Sequence, residues 1–122
     1  MSSFLEKVQA TGAECNLEPF LPGFAPNIIC TYPSLIANAT DLTIMSAHYD
    51  SRGSFGKLRA PGGDDDGSGT GHLLGIAQAI AKQNVRFQKP VVLAFFAGEE
   101  QGLLGSHAYA SEFNRQTCKA II

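Results

Sequence analysis

The chain has 122 residues, 44% of them apolar and 16% charged, and a formal net charge of -2 from 9 basic and 11 acidic side chains. That length and composition fit one globular domain with a single core rather than a disordered or fibrous chain. Charges of both signs are interspersed, which leaves no basic face for nucleic acid or an anionic membrane, and no apolar stretch approaches the roughly 18 residues of a membrane span.

The first eight residues lack a basic segment followed by an apolar one, so they do not read as a secretory signal; an intracellular protein, or one whose true start lies further upstream, is expected. Phe4, Leu5 and Val8 recur at helical spacing and predict a short helix over 3–11. Residues 12–26 are interrupted by Gly12, Pro19, Pro22, Gly23 and Pro26 and read as a connector. Two strands follow, 27–32 and 42–47, both rich in β-branched and aromatic or long apolar residues and joined by a polar loop. That loop holds the sequon Asn38-Ala39-Thr40, which would matter only in a secreted product. A long glycine-rich and proline-containing loop spans 51–67, of the kind that usually has a functional reason.

Leu73, Leu74, Ile76, Ala77, Ile80 and Ala81 then mark a helix over 69–84 with Lys82 in its last turn. Val91 to Ala97 is continuously apolar and predicts a central strand buried on both faces. A helix over 103–114 with Leu104, Ala108, Tyr109 and Phe113 inward, and the beginning of a strand at 120–122, complete the chain. Strands alternating with helices make the expected class α/β, a mixed, mainly parallel sheet with flanking helices. Cys15, Cys30 and Cys118 form no CxxC pair, which argues against a cysteine zinc site and leaves room for one disulfide and one thiol.

In α/β sheets reacting groups collect beyond the carboxyl ends of strands. Here the strand ending at Ala47 leads into His48-Tyr49-Asp50, the long loop carries Asp64-Asp65-Asp66, and the strand ending at Ala97 leads into Gly98-Glu99-Glu100. Imidazole and carboxylates from separate strand ends are what a zinc site with open positions requires. In extended chain His48 and Asp50 leave on one face, so Asp50 can hold one ring nitrogen while the other binds metal. Read singly, each motif has a plainer meaning: a surface or core histidine, a solvated acidic loop, and a glutamate pair at a helix entry. The three aspartates are adjacent rather than alternating, which excludes an EF-hand loop, and Gly62, Gly63 and Gly67 let the backbone wrap closely around them.

Together, Ser46-Ala47-His48-Tyr49-Asp50-Ser51, the 60–69 segment Ala60-Pro61-Gly62-Gly63-Asp64-Asp65-Asp66-Gly67-Ser68-Gly69 and the 96–106 segment around Gly98-Glu99-Glu100-Gln101-Gly102 resemble, in order and separation, the zinc-dependent peptide hydrolase family of leucyl-type aminopeptidases. The resemblance covers about residues 4–122. It implies a three-layer zinc-peptidase sandwich that hydrolyses the amino-terminal residue of peptides with two Zn2+ ions, in a secreted or vacuolar setting. It further implies that His48 binds the first zinc, Asp65 bridges both, Glu100 binds the second, Glu99 is the general base and Asp50 orients His48. Two further ligands, an aspartate and a histidine, lie downstream in that family, so the chain is expected to be the amino-terminal half of a catalytic domain and incomplete alone. His72 and His107 fall where that family needs no ligand.

Rival readings carry less. Gly69-x-Gly71 with Gly75 suggests a dinucleotide module, yet no strand precedes the first glycine and Gln88-Lys89-Pro90 stands where an acidic residue belongs. Gly67-Ser68-Gly69 does not satisfy the GxSxG spacing of a serine hydrolase. A non-catalytic relative of the same fold, or a glutaminyl cyclase-like zinc enzyme, remains the alternative.

Overall fold

The computed structural model describes residues 2–112 and 118–121. The elements run in the order α1 (Ser2–Gln9), β1 (Glu14–Glu18), β2 (Asn27–Tyr32), β3 (Leu42–His48), α2 (Gly67–Lys82), β4 (Val91–Phe96), α3 (Leu104–Glu112) and β5 (Cys118–Ile121). The strands form one sheet in the order β1-β2-β4-β3-β5. β2 is antiparallel to β1 and β4, whereas β3 is parallel to β4 and β5. The class is therefore the expected mixed α/β, with a parallel β4-β3-β5 unit extended by an antiparallel pair.

β4 is central, as its unbroken apolar run requires. Val91, Leu93 and Phe95 project into a core shared with Phe4, Leu5 and Val8 of α1 and with Leu73, Ala77 and Ile80 of α2. Val92 and Ala94 face the other way, against Ile29, Ile44, Phe96 and Tyr109 of α3. Helices thus cover both faces, and the alternation along β4 decides which helix each side chain meets. In α2 the Asp66 carboxylate accepts the Gly69 N–H at 2.9 Å, satisfying one of the unpaired amides of the first turn.

The 12–26 connector is corrected by the structure, which contains β1. Its sequence, Glu-Cys-Asn-Leu-Glu, alternates polar and apolar residues but offers only two apolar ones, and Leu17 is 48% exposed. An edge strand needs only one paired side, and β1 obtains it from the β2 backbone and from a Cys15–Cys30 disulfide across directly paired residues. The carboxyl-terminal part of the 103–114 helix, with Phe113, and the last residue of the 120–122 strand lie outside the described residues. Among the described residues no helix is long and apolar enough to cross a membrane.

Because β3 and β4 are parallel, their exits His48 and Phe96 stand side by side in register. Antiparallel β2 brings its entry, Asn27, to the same edge. Every motif singled out for chemistry is delivered to this edge or to the loop beside it.

Candidate metal and catalytic site

His48 ends β3, with its side chain only 13% exposed. Three residues hold its backbone and ring. The Asp66 carboxylate accepts the His48 N–H at 3.2 Å, and Thr70 Oγ1 donates to the His48 carbonyl at 3.0 Å. Ring Nδ1 lies 3.0 Å from the Asp50 carbonyl and 3.4 Å from the Asp50 carboxylate. This fixes which nitrogen is turned outward: Nε2 faces Asp65 Oδ1 at 2.9 Å and Glu99 Oε2 at 3.7 Å.

The spacing argument gave the Asp50 carboxylate to His48, but the structure divides Asp50 differently. Its backbone carbonyl is the nearer partner of Nδ1. Its carboxylate accepts the N–H of Glu99 at 3.2 Å and of Glu100 at 3.1 Å. One residue therefore joins the β3 exit to the β4 exit.

Glu99 and Glu100 diverge. Glu99, 34% exposed, turns toward His48, while Glu100, 9% exposed, turns the other way and accepts the Arg52 N–H at 3.2 Å beside Arg52 Nε at 3.3 Å. Asp65, 75% exposed, lies against His48. A cavity of about 520 Å³ is lined by His48, Asp66, Glu99 and Phe96, and a second of about 570 Å³ by Asp65, Glu100, Arg52 and Phe55. His48, Asp65 and Glu99 come together, whereas Glu100 shares only a cavity wall with Asp65.

The structure adds two participants that sequence reasoning passed over. Arg52 was one basic residue in a polar loop, with no pattern to mark it except its position two residues after Asp50. Asp66 was read as part of an acidic run, although an aspartate just before a helical pattern is also a cap signal. His72 Nδ1 is 2.8 Å from the Ser68 carbonyl of its own helix, and His107 lines the 520 Å³ cavity together with His48 and Glu99.

Burial disfavours the charged form of His48, but Glu99, the Asp50 carbonyl, Asp65 and the Asp50 carboxylate together outweigh it and raise its pKa above 6.5. In the metal-free chain this contributes stability that is fully present below the unfolded-state pKa and is lost as pH rises through the higher folded-state value. Metal uptake has the opposite sign, since a ligating imidazole must first lose its proton. An NMR titration of the His48 ring without metal is expected to give a midpoint above that of the same residue in urea. A midpoint at or below the unfolded one would show that the three carboxylates do not surround the ring.

The donor types suit zinc: one outward imidazole nitrogen with carboxylate oxygens on either side. The number does not complete a site. Among the described residues no group of three or more His, Cys, Asp or Glu is placed to hold a metal ion.

In fold the chain groups with solved aminopeptidases. The LapA aminopeptidase of Legionella pneumophila matches with a TM-score of 0.75 at 24% identity, over 98% of this chain and 32% of that one. A zinc aminopeptidase of Bacillus subtilis, BSAP, matches with a TM-score of 0.68 at 29% identity, over 80% of this chain and 23% of that one. The chain belongs to peptidase family M28, whose model matches residues 27–122. Leucine aminopeptidase 1 of Aspergillus fumigatus is 42% identical over 89 residues, 65% of this chain and 22% of that protein. The corresponding protein of Arthroderma gypseum is 31% identical over 124 aligned positions, 93% of this chain and 32% of that protein. The chain thus spans between about a fifth and a third of the length of these relatives.

Proposed function

We propose that this chain contributes the amino-terminal share of a two-zinc aminopeptidase site, with His48 and Asp65 on the first ion, Asp65 and Glu100 on the second, and Glu99 as general base. The observation that carries the reading is the placement of the His48 Nε2 atom, turned by Asp50 toward Asp65 and Glu99 at the exits of two adjacent parallel strands. Each ion would receive two of the described residues, one fewer than the three usual for catalytic zinc.

When bound, zinc lowers the proton affinity of the attacking water and polarises the scissile carbonyl. Asp50 holds both glutamate amides and keeps the two carboxylates apart. Glu99 takes the water's proton and returns it to the departing amine. For Glu100 to serve as a ligand, Arg52 has to give up its side-chain pairing. The substrate is a peptide with a free amino terminus. The Cys15–Cys30 disulfide supports a secreted or vacuolar setting, since such bonds persist in oxidising compartments.

The test uses a protein in which this chain is joined to the further length that its relatives possess. With zinc present, amino-acid anilides are expected to be cleaved and their N-acetylated forms left intact. Equal cleavage of free and blocked forms would refute the exopeptidase reading.

A further inference from the structure

Asn27 is, among the described residues, the buried polar residue of the core, 1% exposed, at the first position of β2. Its side chain pairs with neither its own strand nor solvent. The Oδ1 atom accepts the Ala97 N–H at 3.1 Å, and Nδ2 donates to the Gly105 carbonyl at 2.9 Å, contacts that reach 70 and 78 residues along the chain. Ala97 and Gly105 are the two feet of the loop that carries Glu99 and Glu100, and the Gly105 N–H closes that loop onto the Ala97 carbonyl at 3.0 Å.

The loop is closed just as tightly inside. Gly98 and Leu103 have φ of 69° and 61°, and the Leu104 N–H bonds the Gly98 carbonyl at 3.0 Å. A Cβ at Gly105 would lie 2.2 Å from the Ala97 oxygen and 2.3 Å from Asn27 Oδ1, so the feet approach more closely than any other residue allows. The neighbouring residue serves the other strand exit: the Tyr49 hydroxyl, between His48 and Asp50, donates to the Pro26 carbonyl. Both strand exits that bear site residues are therefore fastened to Pro26 and Asn27.

We propose that Asn27 is a positioning residue that staples the base of the 97–105 loop and so sets where Glu99 and Glu100 stand, while Asp50 holds its upper side. The amide is the fitting group, since one donor and one acceptor replace the sheet ladder where β2 begins, and an apolar side chain would leave the buried Ala97 N–H without its acceptor and release the Gly105 carbonyl from β2. The inference rests on the aminopeptidase reading only for the consequence it has on turnover.

The test is hydrogen exchange on the full chain, comparing Asn27→Leu and Asn27→Asp with the unaltered protein. Asn27→Leu is expected to speed exchange in 97–105 by roughly ten- to a hundredfold while the paired residues of β3 and β4 stay protected. Asn27→Asp presents a carboxylate to the Gly105 carbonyl at neutral pH, but its protonated form can donate to that carbonyl and accept from Ala97. Protection relative to the unaltered chain is expected to return as pH falls. Unchanged exchange in 97–105 would overturn the proposal, as would loss of the whole sheet's protection in Asn27→Asp at every pH. In the longer protein Asn27→Asp is expected to lower kcat more than it raises KM. If exchange behaves as stated but the longer protein does not cleave free amino-acid anilides, the aminopeptidase reading fails and the staple stands.

Discussion

Replacing Glu99 by alanine in the longer protein is expected to lower turnover of amino-acid anilides by about 10²- to 10⁴-fold, the usual contribution of a positioned general base. Zinc content should stay near that of the unaltered protein. The expectation follows from where the carboxylate stands: 3.7 Å from His48 Nε2, one-third exposed, and lining the 520 Å³ cavity. Asp65→Ala is expected to lose activity and metal together, since Asp65 lies directly against the outward nitrogen of His48. Metal analysis of the two purified variants separates the roles. Equal zinc loss in both would assign Glu99 to the ligands and leave the water without its base.

Asp50→Ala is expected to weaken zinc binding by about 10- to 100-fold, as loss of a residue that orients ligands does. Three contacts depend on this carboxylate: the N–H groups of Glu99 and Glu100 and the flank of the His48 ring. Removing it leaves two amides without their acceptor and frees the Glu99–Glu100 turn from the β3 exit. Asp50→Asn should fall between, because its amide can accept from one of the two N–H groups but presents a donor to the other. Competition with a chromophoric chelator gives the affinities. Unaltered zinc affinity in Asp50→Ala would show that the two strand exits are positioned by the sheet alone.

Much of the fold was legible because its signals are local. Leu73, Ala77 and Ile80 repeat at helical spacing and are the buried face of α2, and the unbroken run from Val91 could only be a covered strand. β1 was passed over because its alternation, with only Cys15 and Leu17 apolar, is five residues long and lies among the Gly and Pro breaks of 12–26, while its place is set by pairing with β2. In the candidate site the residue types and strand exits were readable; of the expected group His48, Asp65 and Glu100 with Glu99 beside them, His48 meets Asp65 and Glu99, while Glu100 turns to Arg52. The division of Asp50 between backbone and side chain was not, since two-residue spacing states which face a side chain leaves from and not which of its oxygens is nearer. Arg52 and Asn27 were illegible for a related reason: the partners that give them meaning, Glu100 and Gly105, are 48 and 78 residues away.

The sheet order also governs how the chain can assemble. β4 lies between β2 and β3, so the strand that begins the motif-bearing half and the one that ends at His48 have no direct pairing with each other. Ile28 meets Phe95, and His48 meets Phe96, only after the whole of α2 has been made. Closing contacts over such separations is slow, because the loop must be ordered before its pairing is gained. During synthesis the β1–β2 pair can form early, while β3 waits with its main chain unpaired until β4 slides in beside it. The middle of the sheet is thus the last part of the β1–β4 portion to be completed, and the same insertion that seals the core brings Glu99 to His48.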